Sequence, residues 1–426
     1  MIAVNQTQSW VDNHPAAAND PAWLAALRES AIAQFAETEL PGVRDEQWRY
    51  TNLRKLKSHS FKLSESQPLG IALSETDQPR IVFVDGILNA ELSSALAIDA
   101  VSTLKKSIEQ SAPSLEAQFG STLPNRQHGF TTLNTAYAQD GYVINLSDNT
   151  VLNDVIEIVF VSQSSDTVSH TRNMIIAGNN TKCTVVERHI GKPETVYLAN
   201  HITEVIAGDN AHIDHYKIQQ ESDDAFHIGG VFINQARSST VKNHNIALSG
   251  LLTRNDVNSN LLGPGAHTEM NGLVLGKGRQ HIDNHTEVSH AVPNCTSDEY
   301  YKTVLDDRAR SVFRGRIIVA QDAQQTLADQ QNNNLLLSSK AEADTKPQLE
   351  IYADDVKCSH GATVGQLDKA SLFYLNSRGI DDESARALLT FAFANEVVER
   401  INVESVKQEL TNIIAGELLS GLEELV

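Results

Sequence analysis

Ala177-Gly178-Asn179-Asn180 and Ala207-Gly208-Asp209-Asn210 are two polar turn sequences, and each precedes a short run of residues typical of a β-strand. Two similar units follow, at Gln235-Ala236-Arg237-Ser238 and Leu262-Gly263-Pro264-Gly265. The four units begin at residues 177, 207, 235 and 262, so they are separated by 30, 28 and 27 residues. A repeat of this kind, made of short strands and polar turns, predicts a β-solenoid whose coils stack side by side.

The β-rich region extends outward from these units in both directions. It begins after Asp140-Gly141 and continues for more than 200 residues, with turn signals throughout. Polar residues alternate within some strands, for example Thr240, Lys242 and His244, as expected where one face of a strand points outward. A β-sandwich is the alternative, but the Asn-Gly and Asp-Gly pairs that mark its hairpins are scarce here. We therefore predict a solenoid core.

Helical patterns flank the β-rich region. Apolar residues recur at helical spacing from Pro21 to Leu40. The next segment, Arg44 to Leu53, is dense in charged and aromatic residues and is predicted to anchor the N-terminal helices to the body. At the C-terminus, one amphipathic helix carries an apolar stripe from Ala385 to Val397, and a second runs from Glu404 to Leu422. These two helices could cap the open end of the solenoid or form a docking surface for a partner.

These patterns divide the chain into three parts. We expect an N-terminal helical region over residues 1–75, a β-helix core with a helical lead-in over residues 76–366, and a C-terminal helical domain over residues 367–426. The fold class is therefore mainly β, with α-helices at both ends.

Charge and composition exclude several classes of protein. The formal net charge is −20, which argues against a nucleic-acid partner because such a partner requires a basic surface. The sequence contains no run of about 20 apolar residues, so no transmembrane helix is expected. Met1 to Asp20 lacks the features of a signal peptide. Three cysteines in 426 residues do not make a disulfide framework. We expect a cytoplasmic protein.

Two common catalytic motifs are missing from the sequence. Gly272 to Gly278 resembles a phosphate-binding loop only in part, because its spacing differs and no Ser or Thr follows Lys277. No Gly-x-Ser-x-Gly nucleophile motif occurs. We expect that the chain is not an enzyme and does not hydrolyse nucleotides itself.

A histidine-rich stretch runs from Gln280 to His290. His281, Asp283, His285 and Glu287 alternate along it, so they would line one face of a strand. Metal binding is chemically conceivable for these side chains, but their spacing matches no closed metal-site motif. Polar residues on the outer face of the solenoid are the interpretation that we prefer.

A second pair of metal-binding residue types lies in the stretch from Pro347 to Gly379. Cys358 and His360 are two residues apart, so in an extended strand both side chains point from one face. A helix should follow, with Asp368 as its N-cap and an apolar body of Leu372, Phe373 and Leu375. Thiolate and imidazole together suit zinc or iron–sulfur species. Two ligands do not close a site, and a small buried cysteine beside a hydrogen-bonded histidine is the structural alternative.

The same stretch resembles the SufB/SufD family of iron–sulfur cluster assembly proteins. The resemblance rests on Ala353-Asp354-Asp355-Val356-Lys357-Cys358-Ser359-His360-Gly361-Ala362-Thr363-Val364-Gly365 and on Leu372-Phe373-Tyr374-Leu375 followed by Ser377-Arg378-Gly379-Ile380. Supporting stretches are Ser311-Val312-Phe313-x-Gly315, Gln331-Asn332-Asn333-Asn334-Leu335-Leu336-Leu337 and Glu46-x-Trp48-Arg49-Tyr50-Thr51. The resemblance spans most of the chain.

Several expectations follow from this resemblance alone. It implies a right-handed parallel β-helix flanked by helical domains, in a complex of SufB, SufD and two copies of the ATPase SufC. It implies that residues 354–366 face SufB, where the nascent cluster forms, and that the helices around residues 380–420 bind SufC. His360 is then the main candidate iron ligand and Cys358 a secondary thiolate candidate, in a half-site that SufB completes. The chain alone is expected to hold no stable cofactor, only transient iron or an iron–sulfur cluster at that interface.

Within the family the sequence is more similar to the SufD branch than to the SufB branch. No cysteine precedes Cys183, and the signature reads Cys-Ser-His-Gly-Ala-Thr where SufB-like chains carry an acidic His-Glu-Ala motif. A SufB-like scaffold, or a structural homodimer without a ligand role, is the alternative. An exported solenoid enzyme acting on polysaccharides is a further alternative, but the candidate site holds a thiol and an imidazole instead of carboxylates.

Overall fold

The computed structural model describes residues 20–65, 67–110, 113–124 and 128–419. The prediction for Met1 to Asp20, apart from Asp20 itself, and the predicted end of the last helix at Leu422 lie outside these residues. The α-helices are α1 (Ala22–Thr38), α2 (Arg54–Lys57), α3 (Leu104–Glu109), α4 (Pro113–Gln118), α5 (Gly129–Tyr137), α6 (Lys369–Ser377), α7 (Asp382–Val398) and α8 (Glu404–Leu418). Short 3-10 helices occur at Glu46–Trp48, Ala90–Leu92 and Ser94–Ala97.

Most of the remaining chain is in β-strands. The strands that lead into the solenoid are β1 (Lys62–Leu63), β2 (Arg80–Val84), β3 (Ile87–Asn89), β4 (Val101–Thr103) and β5 (Tyr142–Leu146). The longer strands are β6 (Val151–Ser162), β7 (Thr167–Ala177), β8 (Lys182–Gly191), β9 (Tyr197–Ala207), β10 (His212–Gln220), β11 (Phe226–Gln235), β12 (Thr240–Ala247), β13 (Leu252–Leu261), β14 (His267–Gly276), β15 (His281–His290), β16 (Thr296–Leu305), β17 (Arg310–Val319), β18 (Thr326–Leu336), β19 (Glu342–Ile351) and β20 (Val356–Gly365).

The strands form two ten-stranded sheets, and from β5 onward successive strands alternate between the sheets. The first sheet has the order β19-β17-β15-β13-β11-β9-β7-β5-β4, with β1 beside β7, and the second has the order β20-β18-β16-β14-β12-β10-β8-β6-β2-β3. Neighbouring long strands are parallel and in register, as where β8 pairs with β10 and β10 with β12. Each coil therefore gives one strand to each sheet. The predicted β-solenoid is confirmed.

The turns explain the repeat that the sequence shows. Asn180, Asn210, Ser238 and Gly265 occupy equivalent positions after strands of the first sheet, and all four have positive φ angles, between 54° and 78°. Glycine and asparagine adopt this conformation at low cost. The turn therefore favours such residues at the observed spacing, with Ser238 as the exception among these four.

The core lies between the two sheets. Alternate side chains of each strand point inward, and in-register pairing stacks them in columns from coil to coil. Cys183, Ile213 and Val241 form one such column on β8, β10 and β12, and all three are buried in the main apolar cluster. Removal of this apolar surface from water is the principal stabilising contribution of the solenoid.

The N-terminal helices cover the outer face of the first sheet. Phe35 of α1, Trp48 and Phe130 of α5 form one apolar cluster with Leu198 and Phe226, which are aligned on β9 and β11. The 44–53 segment therefore anchors the N-terminal region to the body, as predicted.

The C-terminal helices cover the outer face of the second sheet. Ala394 and Val397 of α7 and Leu410 of α8 pack against Val186 and Val304, which lie on β8 and β16. The helices therefore lie across the side of the solenoid, and the interpretation that they cap its end is wrong. Amphipathic spacing predicts an apolar stripe but does not identify the surface that covers it.

The two ends of the solenoid differ. At the N-terminal end each sheet finishes in a short antiparallel strand, β3 beside β2 and β4 beside β5. At the C-terminal end the sheets finish in β19 and β20, ten residues each, and within the described residues no strand pairs with their outer edges. Exposed edges of this length are competent to pair with another chain.

Candidate metal site

Strand β20 brings Cys358 and His360 to the same face, as their spacing predicts. Cys358 is aligned with Ala328 of β18, and His360 is aligned with Gln330. Ala328 and Gln330 are both buried, and Ala328 belongs to the core between the sheets. Both candidate ligands therefore point toward the interior of the last coil.

The open end makes these inward positions accessible. Cys358 is half-buried and packs against the end of the apolar core, whereas His360 is exposed. The apolar side chains of Ile351 and Val364, also at inward positions of the last two strands, remain exposed as well. Pro347 lies within β19, which is compatible with an edge strand because proline cannot donate a ladder hydrogen bond. The described part of β20 contains no proline, so its edge is the better one for pairing.

Cys358 is the accessible thiol of the chain. Cys183 and Cys295 are free but buried in the core, and burial raises the pKa of Cys183 to about 12. Burial also raises the pKa of Cys358. A thiol of this kind stays protonated until a nearby cation stabilises the thiolate. Cys358 is therefore suited to bind a metal ion that arrives with other ligands.

The chain by itself offers only two ligands at this place. Among the described residues, no group of three or more His, Cys, Asp or Glu side chains is arranged to hold a metal ion. The outward residues of β20 are engaged differently: Ser359 donates to Asp329, and Thr363 Oγ1 donates to Asn333 Oδ1 at 2.9 Å. A sulfur and a nitrogen donor suit iron, so the pair fits half of an iron site.

The polar residues of the histidine-rich stretch lie on the outer face of β15, as predicted, where Asp283 is buried and His281, His285 and Glu287 are partly buried. Asp283 is fully buried beneath the N-terminal segment, where it accepts hydrogen bonds from Thr51 Oγ1 at 2.5 Å and from Arg254 Nη1 at 2.9 Å. His285 Nε2 lies 3.0 Å from Asp283 Oδ1. The guanidinium of Arg254 lowers the pKa of Asp283 despite burial. These side chains form an ion network between two parts of the chain.

Sequence reasoning missed a buried carboxyl group behind His360. Glu299 is aligned with Gln330, whose Nε2 donates to Glu299 Oε1 at 3.1 Å, and Thr286 Oγ1 donates to Glu299 Oε2 at 2.6 Å. Burial raises the pKa of Glu299 to about 7. A polar column therefore leads inward from the coil of His360. Both faces of the strand are polar along Ser297-Asp298-Glu299-Tyr300. The sequence therefore lacks the alternation of apolar and polar residues that would show which face is buried.

Exposed aromatic side chains follow strands β19 and β20 along the chain. The most exposed large apolar side chains of the described residues are Phe373 at 74 %, Tyr352 at 64 % and Tyr374 at 58 %. Helix α6 begins at Asp368, whose carboxylate accepts a hydrogen bond from the Ser371 amide at 2.9 Å, as predicted for the N-cap. The predicted helix contains Leu372, Phe373 and Leu375, but of these only Leu372 is buried.

Comparisons with known proteins match most of the chain to one family. Residues 160–393 match the family described as SUF system FeS cluster assembly, SufBD core domain, and residues 11–158 match the SufBD protein N-terminal region. An iron–sulfur cluster assembly SufBD family protein of Synechocystis is 33% identical over 411 residues, covering 92% of this chain and 90% of that protein. The iron–sulfur cluster assembly protein SufD of Escherichia coli is 31% identical over 400 residues, covering 92% of each chain. SufD of Bacillus subtilis is 28% identical over 417 residues, covering 93% and 94%.

A β-solenoid flanked by helices, with an open edge that carries Cys358 and His360, is thus the setting of the family signature. The chain belongs to the SufBD family of iron–sulfur cluster assembly proteins. Within that family it is SufD-like. No helix of the described residues is long and apolar enough to cross a membrane.

Proposed function

We propose that this chain is a non-catalytic component of the SUF system whose open end forms one half of a site for iron or a nascent iron–sulfur cluster. A SufB chain supplies the other half. The observation that carries the proposal is the position of Cys358 and His360, together on the inward face of the free edge strand β20.

The number of available ligands supports a site shared by two chains. His360 contributes a neutral imidazole nitrogen and Cys358 a thiolate sulfur, and the remaining ligands come from the facing chain. Burial raises the pKa of this half-buried thiol, so a bound cation is what favours loss of its proton. The chain alone consequently holds no stable cofactor, and the iron or cluster at this interface is cargo.

Strand addition accounts for how the second chain reaches these ligands. An edge strand presents unpaired backbone N–H and C=O groups, and a strand from another chain satisfies them while its alternate side chains enter the same interior. The residues that become covered are those of the 354–366 segment, together with the apolar side chains of Ile351 and Val364, which are exposed in the isolated chain.

The test is anaerobic reconstitution of the complex with SufB and SufC, followed by iron and sulfide analysis and visible absorption. We expect His360→Ala to lose most of the cluster and Cys358→Ser to lose a smaller part. Lys357→Ala is the matched control, because Lys357 is an exposed residue on the other face of the same strand. A full yield of cluster with His360→Ala would refute the half-site.

The C-terminal helices are proposed as the docking surface for SufC. In α7 the predicted stripe from Ala385 to Val397 is split, since Ala385 is buried and Val397 is buried against the second sheet, while Ala392 is exposed. Phe373 of α6 is exposed as well. A partner would therefore contact α6 and the outer side of α7.

Co-purification with SufC tests this surface. Ala392→Asp and Phe373→Asp should each greatly reduce capture of SufC without changing the melting temperature, because both side chains are exposed. Arg386→Ala, an exposed polar position of the same helix, serves as the control. Val397→Asp is unsuitable, since it buries a charge against the sheet. Undiminished capture by both charged variants would show that the helices only cover the solenoid.

A further inference from the structure

A cleft separates the N-terminal segment from the outer face of the first sheet. Cys358 and His360 do not line it. Its volume is about 650 Å³, and its walls come from residues 38–48, the start of α5, and strands β17 and β19. Trp48, His128, Arg314 and Arg316 line it together with acidic side chains such as Glu46 and Glu350. It contains the Glu46-x-Trp48 motif, to which the proposed function gives no role.

Two donors in the walls of this cleft have no acceptor among the residues that the structure describes. Trp48 is 2 % exposed, and its indole Nε1–H is unpartnered. Arg314 donates through Nε to Gln348 at 3.2 Å and through Nη2 to Glu46 at 3.1 Å, but its buried Nη1 is unpartnered. Buried donors without acceptors are costly, so these two N–H groups favour a ligand that brings acceptor oxygens.

A carboxylate of the chain itself lies where this cleft meets a second one of about 370 Å³, which Lys346 lines and which shares Glu46, Gln47 and Arg314 with the first. One oxygen of Glu46 accepts from both Arg314 Nη2 and Lys346 Nζ, each at 3.1 Å, and these two cations are aligned on neighbouring strands β17 and β19. Glu46 is largely exposed, with 69 % of its side chain accessible. Exposed ion pairs are weak, so an external carboxylate of suitable shape can replace Glu46 between the two cations.

The remaining charges of the cleft limit the class of ligand. Arg316 is paired with both Glu287 and Glu350, at 3.2 and 2.7 Å, so it is not free to bind a second anionic group. Glu39 and Asp45 also line the cleft and repel ligands with several negative charges. A guanidinium fork matches the planar carboxylate in particular.

We propose that this cleft binds a small organic monocarboxylate, held by Arg314, Lys346 and the indole N–H of Trp48 in exchange for the Glu46 side chain. The ligand's carboxylate takes the place of Glu46, and its second oxygen accepts from the donors that are now unpartnered. The acidic wall at Glu39 and Asp45 then faces hydroxyl or amino groups on the rest of the ligand. Glu46 acts as an internal competitor that leaves the cleft when the ligand enters.

Propionate is the probe, because it reproduces the end of a glutamate side chain. Isothermal titration of the full chain should detect propionate binding to the wild type, and Glu46→Ala should tighten it by about tenfold because the competitor is gone. Arg314→Gln should weaken binding by at least about tenfold. Trp48→Phe, which keeps an aromatic ring but removes the N–H donor, should weaken it to a smaller degree. Lys340→Ala, an exposed cation in a distant turn, is the control and should bind as the wild type does.

The experiment can overturn the proposal in three ways. Binding of propionate by Glu46→Ala but not by the wild type would mean that an external carboxylate cannot displace the Glu46 side chain from its position between Arg314 and Lys346. Equal binding by the wild type and Arg314→Gln would place propionate elsewhere on the protein. Tighter binding of inorganic phosphate than of propionate would refute the assignment to carboxylates. Melting temperatures of all variants establish that each is folded, and Glu46→Ala changes only an exposed side chain.

Discussion

Arg254 joins the N-terminal segment to the first sheet. Its side chain is fully buried and donates to Asp256 Oδ1 at 2.8 Å, to Asp283 Oδ2 at 2.9 Å and to the Gln47 carbonyl at 2.7 Å. The guanidinium also lies 4.1 Å from the centre of the Trp48 ring, a distance at which cation–π attraction is strong. The same cation holds the pKa of Asp256 well below its ordinary value despite burial. Removal of Arg254 would leave two buried carboxylates without their main partner.

We therefore expect Arg254→Met to lower the free energy of unfolding by about 3–5 kcal/mol, the usual cost of leaving a buried charge uncompensated. Urea denaturation at pH 7.5 measures this. Arg237→Met is the matched control: Arg237 pairs with Asp209 at 3.0 Å, but 61 % of its side chain is exposed. Its loss should cost less than about 1 kcal/mol. Equal effects of the two substitutions would mean that burial does not determine the contribution of Arg254.

At the residue scale the sequence predicts orientation better than accessibility. The two-residue spacing of Cys358 and His360 places both side chains on one face, and the structure confirms this. Whether that face points inward could not be predicted. The neighbouring strand β18 carries the polar residues Gln330, Asn332 and Asn334 at its buried positions. Inward polar residues of this kind look the same in the sequence as outward ones.

The turns of the solenoid stack on one another, as the strands do. Asn210 Nδ2 donates to Asn180 Oδ1, and Asn180 Nδ2 donates to Asn149 Oδ1, both at 3.0 Å, so the amide side chains form a ladder along the turns. Gly263 lies at the turn position that Ala236 occupies in the preceding unit. A Cβ atom on Gly263 would lie 2.1 Å from the backbone N of Arg237. Close approach of backbones, more than positive φ, therefore requires glycine at this position.

Gly263→Ala should consequently destabilise the solenoid by about 1–3 kcal/mol, because the neighbouring turn must move to admit the methyl group. Gly416→Ala is the matched control, since Gly416 is an exposed position in α8 with nothing within 4 Å of the added Cβ. That change should stabilise the protein by up to about 1 kcal/mol, because alanine favours the helix. Thermal denaturation followed by circular dichroism compares the two. If Gly263→Ala also gained stability, close stacking of the turns would not be limiting.

At the element scale the repeat was predictable, but the contacts of the helices were not. The turn requires the same local conformation in every coil, so its residues recur at spacings that the sequence displays. Helix α7 carries no comparable local signal of its partner, which is the outer face of β14 and β16. The salt bridge that fixes α8, Arg188 to Glu409 at 2.7 Å, joins residues that are 221 positions apart. Pairing over this distance leaves no trace in local periodicity.

For the molecule as a whole, the buried histidines make stability depend on pH. Burial lowers the pKa of His201 and His227 well below the ordinary value, and it lowers the pKa of His290 from 6.5 to about 4. The unfolded chain therefore takes up protons between about pH 6.5 and pH 4 that the folded chain does not. The free energy of unfolding falls as the pH decreases through this window. Glu299 acts in the opposite direction, since its raised pKa of about 7 makes the folded chain bind a proton that the unfolded chain releases above about pH 4.5.

A single variant isolates the contribution of His290, whose Nε2 lies 3.0 Å from Ser297 Oγ and whose Nδ1 has no partner among the described residues. The depressed pKa of this group should cost the parent protein about 2 kcal/mol between pH 7.5 and pH 5. In His290→Gln the difference in stability between these two pH values, measured by urea denaturation, should shrink by about that amount, because glutamine does not titrate. His212→Gln, at an exposed position, should leave the difference unchanged. If His290→Gln lost as much stability on acidification as the parent, His290 would not contribute to the acid sensitivity. The sensitivity would then have to arise at the other buried histidines.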